Sequence, residues 1–242
     1  MTQRTAIDGA HRRRLYLFRH GAVEYIRPDG NWVEDPDAVD LTDRGRQQAE
    51  AMAALFEGVA VDKAICSGLP RTRQTGEIIL ANRGLQIGTV PGLEEIRPIK
   101  GEASGGYDIY SDVAFSHWRA VDEGAQFLGG ERYADFYARI CVAMHELIAD
   151  PDWSNMAAFA HGGTNAAVLG WVTGLGLSAF GLLDQATCCL NIIDFDVDQE
   201  GQVIRKALRA MNVTAYDPVM RDRHSGDMET LARMILKGVA NN

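Results

Sequence analysis

Three separated stretches, Leu15-Tyr-Leu-Phe-Arg-His-Gly21, Ser67-Gly-Leu-Pro-Arg71 and Ala158-Phe-Ala-His-Gly162, each carry the chain from a short β-prone segment straight into polar residues. Strands that feed helices in this way build an open α/β sheet, where ligands gather outside the carboxyl ends of the strands and helix N-termini offer free N–H groups and partial positive charge. Three such junctions on one edge make a single anion site. Arg19 and Arg71 bring delocalised charge and a fork of donors that matches phosphate oxygens, while His20 and His161 bring a nucleophile and one further donor. The cluster implies phosphoryl chemistry.

With 242 residues, 46% of them hydrophobic, the chain can bury a sizeable core, and its composition is not that of a collagen, a disordered tract or a membrane protein. One domain is expected over residues 15–242, because the only long loop-like stretch, residues 97–106, returns to patterned sequence and reads as an insertion. No period of about 20 to 50 residues recurs, which argues against a solenoid or propeller. The formal net charge of −9 disfavours nucleic acid as a partner, since a groove for phosphodiester backbone comes with a basic stripe. A small anionic substrate in a cationic pocket suits this charge better. The one dense basic run, His11-Arg-Arg-Arg14, is assigned to a flexible N-terminal tail of residues 1–14, solvated rather than bound to nucleic acid or membrane. Cys66, Cys141, Cys188 and Cys189 show no C-x-x-C spacing and no scaffold density, so reduced thiols are expected. Lacking an apolar leader and any apolar run near 20 residues, the chain is expected to be a cytoplasmic enzyme.

Periodicity gives strands at residues 15–18, 60–66, 86–90 and 156–160, and a hairpin from 189–195 and 203–207. Thr42 can cap a helix whose inner face carries Ala49, Met52, Ala53 and Phe56. Further helices are expected at 70–82, with Pro near the first turn, at 131–150, at 164–173 and, as an amphipathic terminal helix, at 228–236. Residues 107–126 are weakly patterned and read as a helical cap with Val113, Phe115, Trp118 and Val121 on its inner face. The sum is a three-layer α/β/α domain with a mostly parallel central sheet and a cap insertion at about 97–128.

In chain order, Leu-Phe-Arg19-His20-Gly21, Leu41-Thr-x-x-Gly45-Arg-x-Gln-Ala49, Ser67-x-Leu-x-Arg71-x-x-Gln-Thr75-x-Glu77, Leu93-x-Glu95-Ile96, Gly129-Gly-Glu131 and His161-Gly-Gly163 resemble the histidine phosphatase superfamily, also called the phosphoglycerate mutase-like family. The similarity spans residues 15–217; the tripeptide alone is a weak signal, whereas six motifs in one order are specific. It implies a covalent phosphohistidine mechanism without metal or other cofactor. By this resemblance His20 is the nucleophile, Arg19, Arg71 and His161 surround the non-bridging oxygens, and Glu95 protonates the leaving alkoxide before activating water. Gly21, Glu24 and Gly162 complete the expected substrate-binding set, with Glu24 either at the pocket mouth or in solvent. Glu94 competes with Glu95 for the acid role, and the Leu-x-Glu spacing selects Glu95. Ser67 can bond phosphate or cap the following turn, with the cap preferred; Glu131 is read as an acid in the first turn of its helix, and Arg44 and Arg46 as solvated. His117 lies in the cap, where it can meet substrate; His11, His145 and His224 have no partner pattern.

Val23 and Ile26 stand where many members of that family carry Thr or Ser and then Asn, which counts against a bisphosphoglycerate-dependent mutase. The expected activity is therefore that of a metal-independent, histidine acid phosphatase-type phosphomonoesterase acting on a small phosphorylated metabolite. A mutase-type phosphotransferase and a catalytically silent phospholigand-binding protein are the alternatives. After Glu95, Arg97-Pro-Ile-Lys-Gly-Glu-Ala-Ser-Gly-Gly106 replaces the common Gly-x-Trp-Glu-Gly continuation. Together with Val23, Tyr25, Ile26, Trp32, Tyr107, Tyr110 and Trp118 near the entrance, it suggests a leaving group with apolar surface. The terminal helix and the 189–195 strand can pack within one subunit or at a homodimer interface, and the sequence leaves both open.

Overall fold

Six strands form one sheet in the order β3-β2-β4-β1-β5-β6. They are β1 (His11–Arg19), β2 (Lys63–Cys66), β3 (Ile87–Thr89), β4 (Asn155–Ala160), β5 (Leu190–Val197) and β6 (Val203–Val213). The structure is a computed structural model that describes residues 10–27, 33–99, 109–221 and 223–240. The first four strands run parallel; β5 turns antiparallel to β1, and β6 to β5. The α-helices are α1 (Asp43–Leu55), α2 (Pro70–Ile79), α3 (Tyr133–Ala149), α4 (Gly162–Thr173), α5 (Ala179–Leu182) and α6 (Asp227–Ala240), with short 3-10 and π-helical turns between elements.

Strand β1 divides the core. Successive side chains point to opposite faces of a sheet, so Leu15 and Leu17 join Phe136, Ile140 and Met144 of α3 and Leu169 of α4, while Tyr16 and Phe18 join Ala49 and Met52 of α1 and Ile79 of α2. Helices therefore cover both faces of a mostly parallel sheet, as the alternating pattern requires. Thr42 caps α1 as expected, its hydroxyl accepting from Gly45 N at 3.1 Å. Gly45 and Gln48 are buried on that helix, and Ala53 is only half-buried.

Two expectations are corrected. β1 begins at His11, so residues 11–14 are strand rather than tail; residues 1–9 lie outside the described residues. Asp194 and Asp196 of β5, both buried, draw the basic run into the sheet. Arg14 and Arg209 grip Asp194 at 2.7 and 2.8 Å, and Arg12 and Arg205 grip Asp196 at 2.8 and 2.5 Å. The cap, in turn, is not one amphipathic helix. Residues Ile109–Ala114 form a π-helical turn and Trp118–Val121 a 3-10 turn, and Val113 and Ala120 are buried while Phe115, Trp118 and Val121 are exposed. Short turns of different pitch cannot hold the 3.6-residue spacing on which that inner face was read. Among the described residues no helix is long and apolar enough to cross a membrane.

Candidate active site

β4 lies between β2 and β1, with Ala160 in register with Arg19 and Phe159 with Cys66. The three strand ends thus release His20, His161 and Ser67 side by side, and the two imidazole rings stand 5.3 Å apart. His20 is buried, and its Nδ1 lies 2.7 Å from the carbonyl of Gly21. A carbonyl only accepts, so Nδ1 carries the hydrogen and Nε2 keeps its lone pair. Burial, then the charges of Arg19 and Arg71, hold the His20 pKa well below the usual range, so the ring is neutral.

The loop after His20 rests directly on the start of α1. A Cβ at Gly21 would stand 2.5 Å from the Gly45 carbonyl oxygen, and one at Gly45 only 2.2 Å from that of Ala22, so this contact admits glycine alone. Thr75 Oγ1 receives Gly21 N at 3.0 Å, and Gln48 Oε1 receives Ala22 N at 2.9 Å.

Arg71, in the first turn of α2, donates Nη1 to the Pro36 carbonyl at 3.0 Å and faces the ring of Tyr25 at 5.8 Å. Arg19 donates Nη1 to the Gln185 carbonyl and pairs through the same nitrogen with Asp227 of α6. His161 Nε2 lies 2.8 Å from Ser67 Oγ, which lies 3.0 Å from Thr72 Oγ1, which donates to the Leu69 carbonyl at 2.8 Å. Each hydroxyl has one hydrogen, so the chain is fully bonded when Nε2 of His161 donates and its Nδ1 is bare. Ser67 is therefore a brace for His161; its contact with Leu69 N, at 3.5 Å, is too long for the expected cap. Arg19 Nε, Arg71 Nε and His161 Nδ1 are all buried without a hydrogen-bond partner. An unsatisfied buried polar atom costs about 1–3 kcal/mol; the two arginine N–H groups beside His20 suit an anionic ligand, and the bare His161 Nδ1 suits a protonated oxygen of it.

Glu95 is held at the N-terminus of α4. Its Oε1 accepts from Ile96 N at 3.0 Å and Thr164 N at 3.1 Å, and its Oε2 from Gly163 N at 3.0 Å. The helix terminus that follows His161 thus receives a carboxylate of the chain itself. Gly163 makes this possible, since a Cβ there would stand 2.5 Å from Glu95 Oε1. Burial raises the Glu95 pKa and outweighs the hydrogen bonds and nearby arginines that lower it. Glu94 instead pairs with Arg97 at 2.6 Å. Gly162 packs its backbone against the Arg19 guanidinium. Among the described contacts Glu24 makes none with this cluster and is exposed. Glu131 precedes α3, so it is not a first-turn acid; it pairs with Arg139 at 3.1 Å and accepts from Arg97 N at 3.2 Å, tying the 97 loop to α3.

His117 bonds through Nδ1 to Tyr133 Oη at 2.9 Å and stacks on Phe127, and burial pushes its pKa down to about 4. Val23, Tyr25 and Ile26 are half-buried, Trp118 is exposed, and Trp32, Tyr107 and the Tyr110 side chain lie outside the described residues. Asp227, Arg223 and Gln185 were missed in the sequence because no spacing links them to a motif; the sole signal was an acidic first turn on an amphipathic helix. Among the described residues no group of three or more His, Cys, Asp or Glu side chains is arranged to hold a metal ion.

The chain is 25% identical over 230 residues to a 2-carboxy-D-arabinitol-1-phosphatase of Triticum aestivum, covering 90% of this chain and 44% of that one. It spans about half the length of the two plant relatives of that name, at 44% and 48%. It is 26% identical over 185 residues to the adenosylcobalamin/alpha-ribazole phosphatase of Escherichia coli, covering 76% of this chain and 90% of that one. In fold it is similar to a mycobacterial glucosyl-3-phosphoglycerate phosphatase, with a TM-score of 0.66 at 23% identity over 83% of this chain and 99% of that one. These relatives are named as phosphatases of small phosphorylated compounds. The profile of the histidine phosphatase superfamily, branch 1, matches residues 15–209, and the chain belongs to that superfamily.

Proposed function

We propose that this protein is a phosphomonoesterase that hydrolyses a small phosphorylated metabolite through a phosphohistidine on His20, without a metal. The observation that carries this reading is the pair of unpartnered buried donors, Arg19 Nε and Arg71 Nε, whose charges act on His20, with the unpartnered Nδ1 of His161 on the neighbouring ring 5.3 Å away. The arginines take two phosphoryl oxygens, where charge spreads in the transition state. The bare Nδ1 of His161 receives the proton of a protonated phosphoryl oxygen and becomes a donor to it.

His20 Nε2 attacks phosphorus in line as the P–O bond to the leaving group breaks, and Nδ1–H stays on the Gly21 carbonyl. Glu95, whose protonated form burial favours, gives its proton to the leaving alkoxide. As carboxylate it then takes a proton from water, which attacks the phosphohistidine; the P–N bond breaks, His20 regains its lone pair, and His161 Nδ1 returns its proton to the departing phosphate. Within this single domain the described part of the cap, residues 109–128, forms the leaving-group side, and there Tyr25 and His117 favour a leaving group with apolar surface.

Phosphate release from an aryl phosphate in excess EDTA, compared between the natural protein and His20→Ala, tests the reading. Release that survives EDTA and is lost with His20 supports it. Release abolished by EDTA, or retained in His20→Ala, refutes it.

A further inference from the structure

The family profile ends at residue 209, yet α6, which begins at Asp227, delivers a carboxylate to Arg19. This contact falls on one edge of the guanidinium. Nη1 is taken by Asp227 and by the Gln185 carbonyl, while Nε, on the opposite edge with Nη2, is buried and unpartnered. A guanidinium held by Nη1 presents its Nε–Nη2 edge as a fork, the geometry that binds two phosphate oxygens at once.

Asp227 is itself held. Its other oxygen accepts from Arg223 Nη2 at 3.1 Å, and Arg223 forks onto Asp184 at 2.8 and 2.9 Å. Arg223 Nη2 also approaches the Gln185 carbonyl that Arg19 uses, at 3.4 Å. The start of α6 is fixed by Glu229, whose carboxylate accepts from Gly226 N at 2.7 Å, and by Thr230, whose N–H and hydroxyl donate to the Gly226 carbonyl, both at 3.0 Å. An unbroken chain from Asp184 through Arg223 and Asp227 to Arg19 therefore sets where the guanidinium lies before any ligand arrives.

We infer that Asp227 is a positioning residue for phosphate binding: the C-terminal helix, beyond the family-matched segment, holds Arg19 by its far nitrogen so that its near edge meets the phosphoryl group. This rests on the proposed reading of the site. It also makes α6 a part of the site, since the motif arginine has no other carboxylate partner among the described ion pairs. Burial raises the Asp227 pKa, but the charges of Arg19 and Arg223 outweigh it and keep the carboxylate ionised.

The test uses the full chain, inorganic phosphate as probe and calorimetric binding, with kinetics on an aryl phosphate. Asp227→Ala is expected to weaken phosphate binding about tenfold, the factor for ordering one long side chain on binding, with kcat/KM falling in parallel. Asp227→Asn, which keeps an oxygen for Nη1, recovers most of the loss. In an Arg19→Lys background, whose ammonium has no fork to orient, Asp227→Ala produces no further loss, an outcome that a general structural role for α6 would not give. Phosphate bound equally or more tightly by Asp227→Ala, or a loss that persists undiminished beside Lys at position 19, overturns the inference. Arg71→Ala separates the two levels. If it abolishes phosphate binding while Asp227→Ala leaves it unchanged, the proposed site stands and the inference falls; a natural protein that binds no phosphate overturns both.

Discussion

Replacing Gly163 with alanine is expected to cost about two orders of magnitude in catalytic efficiency on alkyl phosphates while leaving the fold intact. The added Cβ would stand 2.5 Å from Glu95 Oε1 and 3.3 Å from its carboxyl carbon. Ordinary contact begins near about 3.5 Å, so the carboxylate must withdraw by about 1 Å. The helix cannot yield instead, because nine of the twelve residues of α4 are buried. Withdrawal weakens the bonds from Gly163 N and Thr164 N, now 3.0 and 3.1 Å. A shift of about 1 Å in a positioned group costs on the order of a hundredfold, within the roughly 10²- to 10⁴-fold range of general acid catalysis. Stability changes less, since alanine gains about 1 kcal/mol over glycine in a helix, against about 1–3 kcal/mol for the weakened bonds. The assay is kcat/KM on an alkyl and an aryl phosphate, which reports the phosphorylation step, beside a thermal melt. An alkoxide needs the proton from Glu95 and an aryl oxide scarcely does, so the loss is larger for the alkyl ester. Unchanged efficiency on the alkyl ester, or equal losses on both, would refute the assignment of Glu95 as proton donor.

Ser67→Ala leaves the Nε2–H of His161 buried and unpaired, and is expected to lower stability by about 1–3 kcal/mol and to reduce kcat/KM; urea unfolding and kinetics check both. His20 and His161, held neutral by burial and by Arg19 and Arg71, should show no protonation in a ring-nitrogen NMR titration at about pH 5.5, a unit below the ordinary histidine value of about 6.5. Their folded pKa values lie below the unfolded ones, so this stabilisation is complete above about pH 6.5 and declines as pH falls below it; either ring charging near pH 6.5 contradicts the expectation. Asp194→Asn should destabilise the protein by about 1–3 kcal/mol at neutral pH, because Arg14 and Arg209 lose a buried partner. Burial raises the Asp194 pKa, but bonds from the two arginines outweigh it and depress it. The carboxylate thus contributes above its unfolded pKa of about 3.9 and loses that contribution below its folded one, so the difference between the variants should vanish in strong acid in a pH series of melts.

The parts legible in the sequence were those written in local patterns. Arg19, His20, Ser67, Arg71 and His161 each end a strand or open a helix, and parallel pairing alone brings such junctions together. The spacing that selected Glu95 over Glu94 is local as well, and the structure puts Glu95 on α4 and Glu94 on Arg97. What was not legible depends on partners distant in sequence. Nothing near Arg12 and Arg14 announces that Asp194 and Asp196 wait on a strand about 180 residues later, with separations of 184 and 180. The local pattern around Ser67 is that of a cap, whereas its partner His161 lies 94 residues away. Asp227 reaches Arg19 only through tertiary packing of a helix whose sequence shows amphipathicity and no motif. The cap failed for another reason: turns of mixed pitch obey no single period, so Phe115, Trp118 and Val121 face out where a regular helix would have buried them.

The central claim is that His20 carries the phosphoryl group. Rapid acid-free quenching of the protein with a radiolabelled phosphomonoester, followed by peptide mapping, measures this most directly. The account predicts an acid-labile, alkali-stable phosphoryl adduct on His20 Nε2 that forms within one turnover, is absent from His20→Ala and, with an aryl phosphate whose leaving group scarcely needs the proton of Glu95, accumulates in Glu95→Gln, which cannot activate the water. Turnover without any adduct on His20, or a phosphoryl group trapped on another residue, would contradict it.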